Sequence, residues 1–261
     1  MDLFDTHFHL PEEGDLENYL EQLYPEHSYR MMAMAASAAG SIRALEFARR
    51  HPNVWCSCGV HPHDAEDFDG NMEQFQALVS APENRAVGEI GLDFFYDFAP
   101  REKQIACFEK FLRLALEKSK PICIHCRDKE NSTDAYQICY SMLKDFASQA
   151  GEGKAVLHCY AGNQDYLEKF LDIGCYIGVT GMVTFPKSSN IRDNLRLIPR
   201  ERLLFETDSP YLAPVPFRGK TNHPALTAHV VSYAAGFLGE TAEKLASDTT
   251  ANALRFFAIE A

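Results

Sequence analysis

Two histidines stand two residues apart near the start of the chain, in the segment Phe4-Asp5-Thr6-His7-Phe8-His9. In a β-strand alternate side chains point to the same face, so His7 and His9 can converge on one metal ion. Imidazole is a common ligand of divalent transition metals. Such a pair also arises by accident on strands, so its meaning depends on whether other ligands join it.

Four further residues with metal-binding side chains lie at or just past the ends of later strand-like segments: Glu89, His125, His158 and Asp208. Four imidazoles and two carboxylates suit two divalent ions, and Glu89 is the natural bridge because a carboxylate has two oxygens. Gly88 and Gly91 would allow close backbone approach beside it. We expect Asp208 to ligate one ion and to accept a proton from attacking water. The catalytic roles are therefore assigned to Glu89 and Asp208.

The donor types limit the choice of metal without fixing it. Imidazole-rich sites favour zinc, manganese or iron, whereas magnesium prefers oxygen ligands and retained waters. We expect two divalent ions, with magnesium, manganese and zinc as the alternatives. For each residue taken singly a structural role stays open, either as a buried histidine bonded to backbone or as a carboxylate that caps a helix.

The elements that must position these residues alternate between strands and helices. Apolar or β-branched runs predict eight strands, at 2–5, 30–35, 54–58, 86–90, 121–125, 155–158, 175–179 and 202–206. Helical periodicity predicts helices at 41–50, 71–80, 101–118, 133–149, 163–172, 190–197, 224–238 and 241–257. Strands that alternate with helices are parallel and joined by right-handed crossovers. Eight such units predict an α/β fold, the (β/α)8 TIM barrel, in which all strand carboxyl ends meet on one face.

Length and composition are compatible with one domain. Of the 261 residues 46% are hydrophobic and no linker divides them, so we expect a single barrel domain over 1–261. No Gly-x-Gly-x-x-Gly turn follows the first strand, which disfavours a dinucleotide-binding sheet. The acidic N-terminal segment and the lack of an apolar run near ~20 residues predict a cytoplasmic protein without a membrane partner. The eight cysteines are expected to be reduced thiols, not disulfides or a structural zinc site.

Six motifs, in their order along nearly the whole chain, resemble the TatD-like metal-dependent hydrolases of the amidohydrolase superfamily. They are Asp5-Thr6-His7-Phe8-His9, Gly59-Val60-His61-Pro62-His63, Gly88-Glu89-Ile90-Gly91-Leu92-Asp93, His125-Cys126-Arg127-Asp128, His158-Cys159-Tyr160 and Glu206-Thr207-Asp208-Ser209-Pro210-Tyr211-Leu212-Ala213-Pro214. The resemblance implies a (β/α)8 barrel and a metal-dependent deoxyribonuclease, often one that trims 3′ ends. It also implies a two-metal site whose ligands are His7, His9, Glu89, His125, His158 and Asp208.

One segment departs from the family pattern. After the last ligand the family usually continues with a segment like Arg-Gly-Lys-Arg-Asn-Glu-Pro, where this chain reads Arg218-Gly219-Lys220-Thr221-Asn222-His223-Pro224. Thr221 stands in place of a basic residue and His223 in place of an acidic one. The change leaves the ligands untouched and bears on substrate preference at the rim.

Four side chains near the expected metal site are candidates for substrate contacts: Arg218, His63, Arg127 and Lys220. The planar guanidinium of arginine suits two phosphate oxygens, and barrels often hold phosphate after their last strands. Arg127 has an alternative role in an ion pair with Asp93 or Asp128. His63, like His61, either reaches the substrate, supports the site or belongs to a rigid turn around Pro62.

Other neighbours of the ligands have two interpretations each. Glu206 either orients a ligand or is a satisfied core acid, and His223 either starts a helix or contacts substrate. Strand alternation predicts that Cys126 and Cys159 pack away from the metal. The aromatic run 94–96 could stack a base at the barrel mouth, although packing at the rim is the simpler interpretation for three successive rings.

The leading hypothesis is a hydrolase that cleaves phosphodiester bonds in DNA, from an end and on single strands. The net charge of −12 disfavours tight duplex binding, so a cationic pocket must draw in a short polyanion. The expected partner is single-stranded DNA, its 3′ end or a small phosphodiester. One alternative is an amide, lactone or carboxylic-ester hydrolase, disfavoured because Ile122 and Ile124 stand where a metal-bridging lysine would be expected. A non-catalytic binding protein is the other alternative, opposed by the six intact ligands.

Overall fold

The computed structural model describes residues 1–11, 16, 18–96 and 98–260, and within them one parallel sheet runs in the order β1 to β8. Its strands are β1 Asp2–Phe8, β2 Ser28–Ala33, β3 Val54–Cys58, β4 Asn84–Asp93, β5 Ile122–Arg127, β6 Ala155–Leu157, β7 Tyr176–Val179 and β8 Leu203–Phe205. Each strand pairs in parallel with the next. The predicted (β/α)8 barrel is confirmed.

Helices follow the strands from β2 onward, and two of them follow β8. They are α1 Ala38–Arg50, α2 Glu73–Val79, α3 Arg101–Lys118, α4 Asp134–Ala150, α5 Gln164–Asp172, α6 Ser189–Leu197, α7 Thr227–Leu238 and α8 Ala242–Phe256. The predicted helix at 224–238 begins three residues late, because Pro224–Leu226 form a 3-10 turn capped by the side chain of His223. After β1 the described residues form only a short 3-10 helix, Tyr19–Gln22.

Helix α3 shows how an outer helix fixes the end of a strand. Its apolar side chains recur at three- and four-residue spacings and are buried, among them Phe108, Leu112 and Ala115. The same face carries the fully buried Gln104, whose amide nitrogen donates to the carbonyl of Asp93 at 2.9 Å. Its amide oxygen accepts from the Asp93 backbone N–H at 2.8 Å. These two hydrogen bonds hold the carboxyl end of β4 against helix α3.

An apolar plug fills the amino-terminal part of the barrel. All eight strands contribute to it, through Phe4, Met32, Met34, Trp55, Ala86, Cys123, Val156, Tyr176 and Leu204. Helix α8 and the residues after it close the plug with Phe256 and Phe257, whose rings are 4.7 Å apart. The interior is therefore packed at this end, and space for polar chemistry exists only at the other end.

The seam between β8 and β1 is closed by hydrogen bonds that also fix three of the predicted ligands. The backbone N–H of Asp208 donates to the carbonyl of His7 at 2.9 Å, and that of His9 donates to Ser209 at 2.8 Å. The buried carboxylate of Asp5 accepts from the hydroxyl and N–H of Thr207 at 2.6 and 2.9 Å. Asp5 thus has a structural role across the seam that the sequence did not reveal.

All eight cysteines are free thiols, and six of them are buried. Over the described residues, no helix has both the length and the apolar character needed to cross a membrane.

Candidate metal centre

Glu89, near the carboxyl end of β4, lies at the centre of the predicted ligands. One carboxylate oxygen, Oε2, is 3.3 Å from His7 Nε2 and 3.4 Å from His9 Nε2. The other, Oε1, is 3.0 Å from His125 Nδ1 and 3.8 Å from His158 Nε2. The two oxygens therefore face two separate pairs of histidines, one at the carboxyl end of β1 and the other at the carboxyl ends of β5 and β6.

Asp208 approaches the same cluster from beyond β8. Its Oδ1 is 3.5 Å from His9 Nε2, 3.7 Å from His158 Nε2 and 3.8 Å from His7 Nε2. Its backbone has a left-handed φ of 56°, which turns the chain out of the strand direction. The structure thus brings all six predicted ligands together at one end of the barrel.

Glycine at two positions permits the close packing around Glu89. A Cβ on Gly91, whose φ is 140°, would lie 2.0 Å from the carbonyl oxygen of His125. A Cβ on Gly88 would lie 2.7 Å from the Cβ of Cys123. Any larger residue would push β4 away from β5, and Glu89 would move away from His125.

His61 is a seventh member of the cluster. Its Nε2 is 3.7 Å from Glu89 Oε1, and its ring centroid is 4.5 Å from that of His125. The sequence left three roles open for His61: to reach the substrate, to support the site or to belong to a rigid turn around Pro62. The structure places it with Glu89 and His125 in a group that could hold a metal ion. The available signal was its position: like the other ligands, it follows the carboxyl end of a strand.

Most of the cluster's imidazoles are oriented by an acceptor on the ring nitrogen that faces away from Glu89. His158 Nδ1 lies 2.8 Å from Glu206 Oε1, and His125 Nε2 lies 2.9 Å from Asp93 Oδ2. His9 Nδ1 lies 3.1 Å from the carbonyl of Met34. Such partners fix the tautomer and the ring plane of metal-binding histidines. Glu206 therefore lies where it can orient His158, one of the predicted ligands.

Asp93 serves several groups at once. Its Oδ2 lies 3.0 Å from His63 Nε2 as well as near His125, and its Oδ1 accepts the N–H groups of Phe95 and Tyr96 at 2.9 and 3.0 Å. His63, predicted to contact substrate, is thus held by this carboxylate and is half-buried beside the ligands. The predicted alternative of an Asp93–Arg127 ion pair is not formed, because histidines and backbone donors occupy the carboxylate.

The two cysteines that follow His125 and His158 in the chain differ in what they contact. Cys126 contacts Cys139 of α4, as strand alternation predicts. The same prediction was wrong for Cys159, whose sulfur is within 4.8 Å of ligand atoms of His158 and Asp208. The physical reason is that β6 ends at Leu157 and Cys159 has a left-handed φ of 46°, so alternation no longer applies to it.

Charge is concentrated in the cluster. Burial alone would raise the pKa of Glu89, but the surrounding histidines, led by His7 and His61, hold it well below its usual range. Burial lowers the pKa of His7 and of His61. Burial also opposes the charged form of His158, yet Glu206 and Asp208 outweigh it and raise its pKa to about 10.

This donor set fits divalent cations. Two carboxylates and five imidazoles converge, and among the described residues no lysine or arginine forms an ion pair with Glu89 or Asp208. His7 Nε2 and His9 Nε2 are only 3.1 Å apart, an approach that a shared cation would explain. One group, His7, His9 and Glu89, could hold one ion, and another, His61, Glu89 and His125, could hold a second.

The predicted phosphate contacts lie outside this cluster, on the rim. Arg218 lies over the ring of Phe185 at 4.6 Å, and Lys220 lies 5.9 Å over Phe217. Arg127 lies 4.2 Å over Phe95. All three cations are exposed, and the structure does not bring them into contact with the ligands.

The departure from the expected family segment has a structural explanation at His223. Its Nδ1 accepts the N–H of Ala225 at 3.1 Å, and its Nε2 lies 3.0 Å from the carbonyl of Tyr19. Both ring nitrogens are thus satisfied by backbone, so His223 starts a helix and does not point to substrate. Nothing in the structure explains Thr221.

Comparison with known proteins agrees with this geometry. The family model "TatD related DNase" matches residues 4–258. The chain is 35% identical to the uncharacterized metal-dependent hydrolase YcfH of Escherichia coli, over 100% of this chain and 97% of that protein. It is 38% identical to the 3′-5′ ssDNA/RNA exonuclease TatD of Enterobacter lignolyticus, over 88% and 87%.

A solved structure shares the whole fold. The TatD homologue YjjV of Escherichia coli superimposes with a TM-score of 0.89 at 28% identity, over 99% of this chain and 98% of that one. The family match and the shared barrel therefore agree with the family that the sequence motifs indicated. The chain belongs to the TatD-related DNase family and is a metal-dependent hydrolase that acts on ester bonds.

Proposed function

We propose that this hydrolase cleaves phosphodiester bonds at the 3′ end of single-stranded DNA with the help of two divalent ions. The observation that carries the proposal is the division of Glu89, whose Oε2 faces His7 and His9 while its Oε1 faces His125. A carboxylate between two sets of imidazoles is the ligand arrangement of a two-ion site. Relatives named 3′-5′ ssDNA/RNA exonuclease support the choice of bond and polarity.

The residues of the chain would hold the ions and handle the proton. His7, His9, Glu89, His125, His158 and Asp208 are the proposed ligands, and His61 is added to them. When bound, the ions would lower the pKa of water and neutralise charge on the scissile phosphate. Asp208 is ionised in this environment, because His158 and His9 lower its pKa against the effect of burial. Its carboxylate can therefore accept the proton of the attacking water.

Cations on the rim would guide the strand to the site. The whole chain is acidic, so the substrate must be attracted locally. Arg218, Lys220 and Arg127 are exposed and lie over aromatic rings. Arg127 donates one N–H to the hydroxyl of Tyr96 at 3.5 Å, and its other N–H groups, like those of Arg218 and Lys220, can bind phosphate oxygens. Three separate cations suit a short flexible strand better than a duplex.

The test uses metal-stripped protein reloaded with magnesium, manganese or zinc. Single-stranded DNA labelled at the 3′ or the 5′ end is the substrate, and Glu89→Gln is the control because it keeps the shape but removes the bridging charge. We expect stepwise loss of nucleotides from the 3′ end, only with metal and only in the wild-type protein. Cleavage of a carboxylic ester with no cleavage of DNA would overturn the proposal and favour the other hydrolase class.

A further inference from the structure

Three aromatic rings after β4 are exposed next to the metal centre. Phe95 is 41% exposed, Tyr96 46% and Phe98 63%, whereas Phe94 is fully buried. The interpretation that this aromatic run packs the rim therefore holds for Phe94 alone. Together with the guanidinium of Arg127, the three exposed rings form what we call the rim stack.

The flat groups of the rim stack lie over one another. The rings of Tyr96 and Phe98 are nearly parallel, at 6°, with centroids 5.4 Å apart. The guanidinium of Arg127 lies 4.2 Å over Phe95 and 4.8 Å over Tyr96. Phe98, the most exposed member, has a flat face available to a further planar group.

The rim stack is continuous with the metal centre. The ring of His63 stands perpendicular to both Phe98 and Tyr96, at centroid distances of 4.7 and 5.4 Å. His63 is bound to Asp93, which also binds the ligand His125. Phe98 is thus separated from the predicted metal ligand His125 by a single imidazole ring, that of His63.

The backbone beside the stack is fixed by a buried charge. Asp93 is fully buried at the end of β4, and its Oδ1 accepts the N–H groups of Phe95 and Tyr96. The same carboxylate therefore holds both the predicted ligand His125 and the backbone of Phe95 and Tyr96. Contiguous apolar surface left exposed beside a catalytic site marks a place where a ligand binds.

We propose that the rim stack is a base-stacking subsite for a nucleotide next to the scissile phosphate; this rests on the function proposed above. A nucleobase is flat and stacks on an aromatic face regardless of its identity, as on Phe98. The phosphate beside it is anionic and matches Arg127, an exposed cation in an otherwise acidic chain. This surface therefore suits a ligand in which a planar group is joined to an anion.

The test compares Phe98→Ala with Phe98→Tyr, which keeps the ring, and with Tyr233→Ala, which removes a 39% exposed ring from α7. The substrates are two single-stranded oligodeoxynucleotides that differ only in an abasic site within the terminal two nucleotides. We expect kcat/KM of Phe98→Ala to fall about tenfold on the intact strand and to stay unchanged on the abasic one. Phe98→Tyr and Tyr233→Ala should keep wild-type rates on both.

A binding measurement separates this proposal from the proposed function. An oligonucleotide with 2-aminopurine at the same position is titrated into metal-free Glu89→Gln protein, with and without Phe98→Ala. We expect the fluorescence to be quenched on binding, and Phe98→Ala to weaken both the quenching and the affinity. This result supports the subsite even if no DNA is cleaved.

Two outcomes would overturn the subsite. One is cleavage of DNA by the wild-type protein with no effect of Phe98→Ala in either assay, which leaves the nuclease assignment intact. The other is an equal loss of kcat/KM on the intact and abasic strands with unchanged quenching. In that case Phe98 merely supports His63.

Discussion

The two ends of the barrel present opposite chemistry. At the carboxyl end, Glu89 and Asp208 meet five histidines from the ends of β1, β5 and β6 and from the segment after β3. At the amino end each strand contributes to an apolar plug that Phe256 and Phe257 close. Polar groups at the first end need a partner for every atom, while the second end needs only matching shapes.

The two ends of the barrel core thus serve two different purposes. The carboxyl end is held by further carboxylates: Asp93 and Glu206 orient histidines, and Asp5 ties β1 to β8. Charges brought together in this way contribute little net stability and are arranged to receive a ligand. The plug supplies the apolar burial that such a site lacks. Mutations at the two ends should therefore separate activity from stability.

The largest effect should come from Asp208→Asn. Asparagine tolerates the left-handed φ of 56° and keeps the side-chain shape, but it carries no charge and accepts no proton. We expect kcat to fall about 10³-fold, while the free energy of unfolding of the metal-free protein changes by no more than about 1 kcal/mol. Steady-state kinetics and urea unfolding measure the two quantities, with Asp145→Asn on the surface of α4 as control. Retained activity would remove Asp208 from the mechanism.

A mutation in the apolar plug should have the opposite result, a loss of stability without a loss of activity. Phe257 is buried, and its ring stacks on that of Phe4 with centroids 5.7 Å apart. Phe257→Ala should lower the free energy of unfolding by about 3–5 kcal/mol through lost burial and a cavity, and kcat/KM of the folded protein should not change. Urea unfolding provides the measurement, and Tyr233→Ala is the exposed control, expected within about 0.5 kcal/mol. A fall in kcat/KM instead would show that the two ends are coupled.

The sequence predicted the eight strands because parallel strands are short apolar runs between strong helical patterns. It also predicted which metal-binding side chains the structure brings together, since each stands at or just past the end of such a run. His61 was not predicted as a ligand, because a rigid turn around Pro62 explains that segment equally well. The role of Asp5 could not be predicted, because its partner Thr207 is 202 residues away.

The substrate contacts were less predictable for a related reason. A metal ligand is recognised by donor type, but the role of a surface arginine depends on which neighbour occupies it. Two carboxylates were possible ion-pair partners for Arg127, yet Asp93 binds histidines and Asp128 accepts the N–H of Ala135 at 2.7 Å. Only the structure shows that Arg127 lies over aromatic rings instead.

A smaller effect should appear when the carboxylates that support the ligands are neutralised. Asp93→Asn and Glu206→Gln keep the side-chain shapes but remove the negative charge from the hydrogen bond to His125 and from the ion pair to His158. We expect each to reduce the affinity for metal about 10–100-fold, measured by calorimetric titration of the metal-free protein. Glu117→Gln, on the exposed surface of α3, is the control. Unchanged affinity in both variants would mean that packing alone orients the rings.

An effect no larger than about tenfold for each pH unit concerns His158, and it has opposite signs for stability and for metal affinity. His158 has a pKa of about 10 in the folded metal-free protein, because Glu206 and Asp208 outweigh burial, against an ordinary value of 6.5. A raised pKa means that the folded state holds the proton more tightly. The stability that this proton provides is complete below about pH 6.5 and is lost as the pH rises toward 10.

Metal binding must displace that proton, so affinity should rise with pH over the same range in which metal-free stability falls. For one displaced proton the increase is about tenfold per pH unit. Titrations between pH 7 and 9, in buffers of different ionisation enthalpy, measure both the affinity and the protons released. Glu206→Gln should reduce the slope, because it removes a main cause of the raised pKa. An affinity independent of pH would mean that His158 is neutral before the metal binds, and the carboxyl end would then be less charged than its geometry indicates.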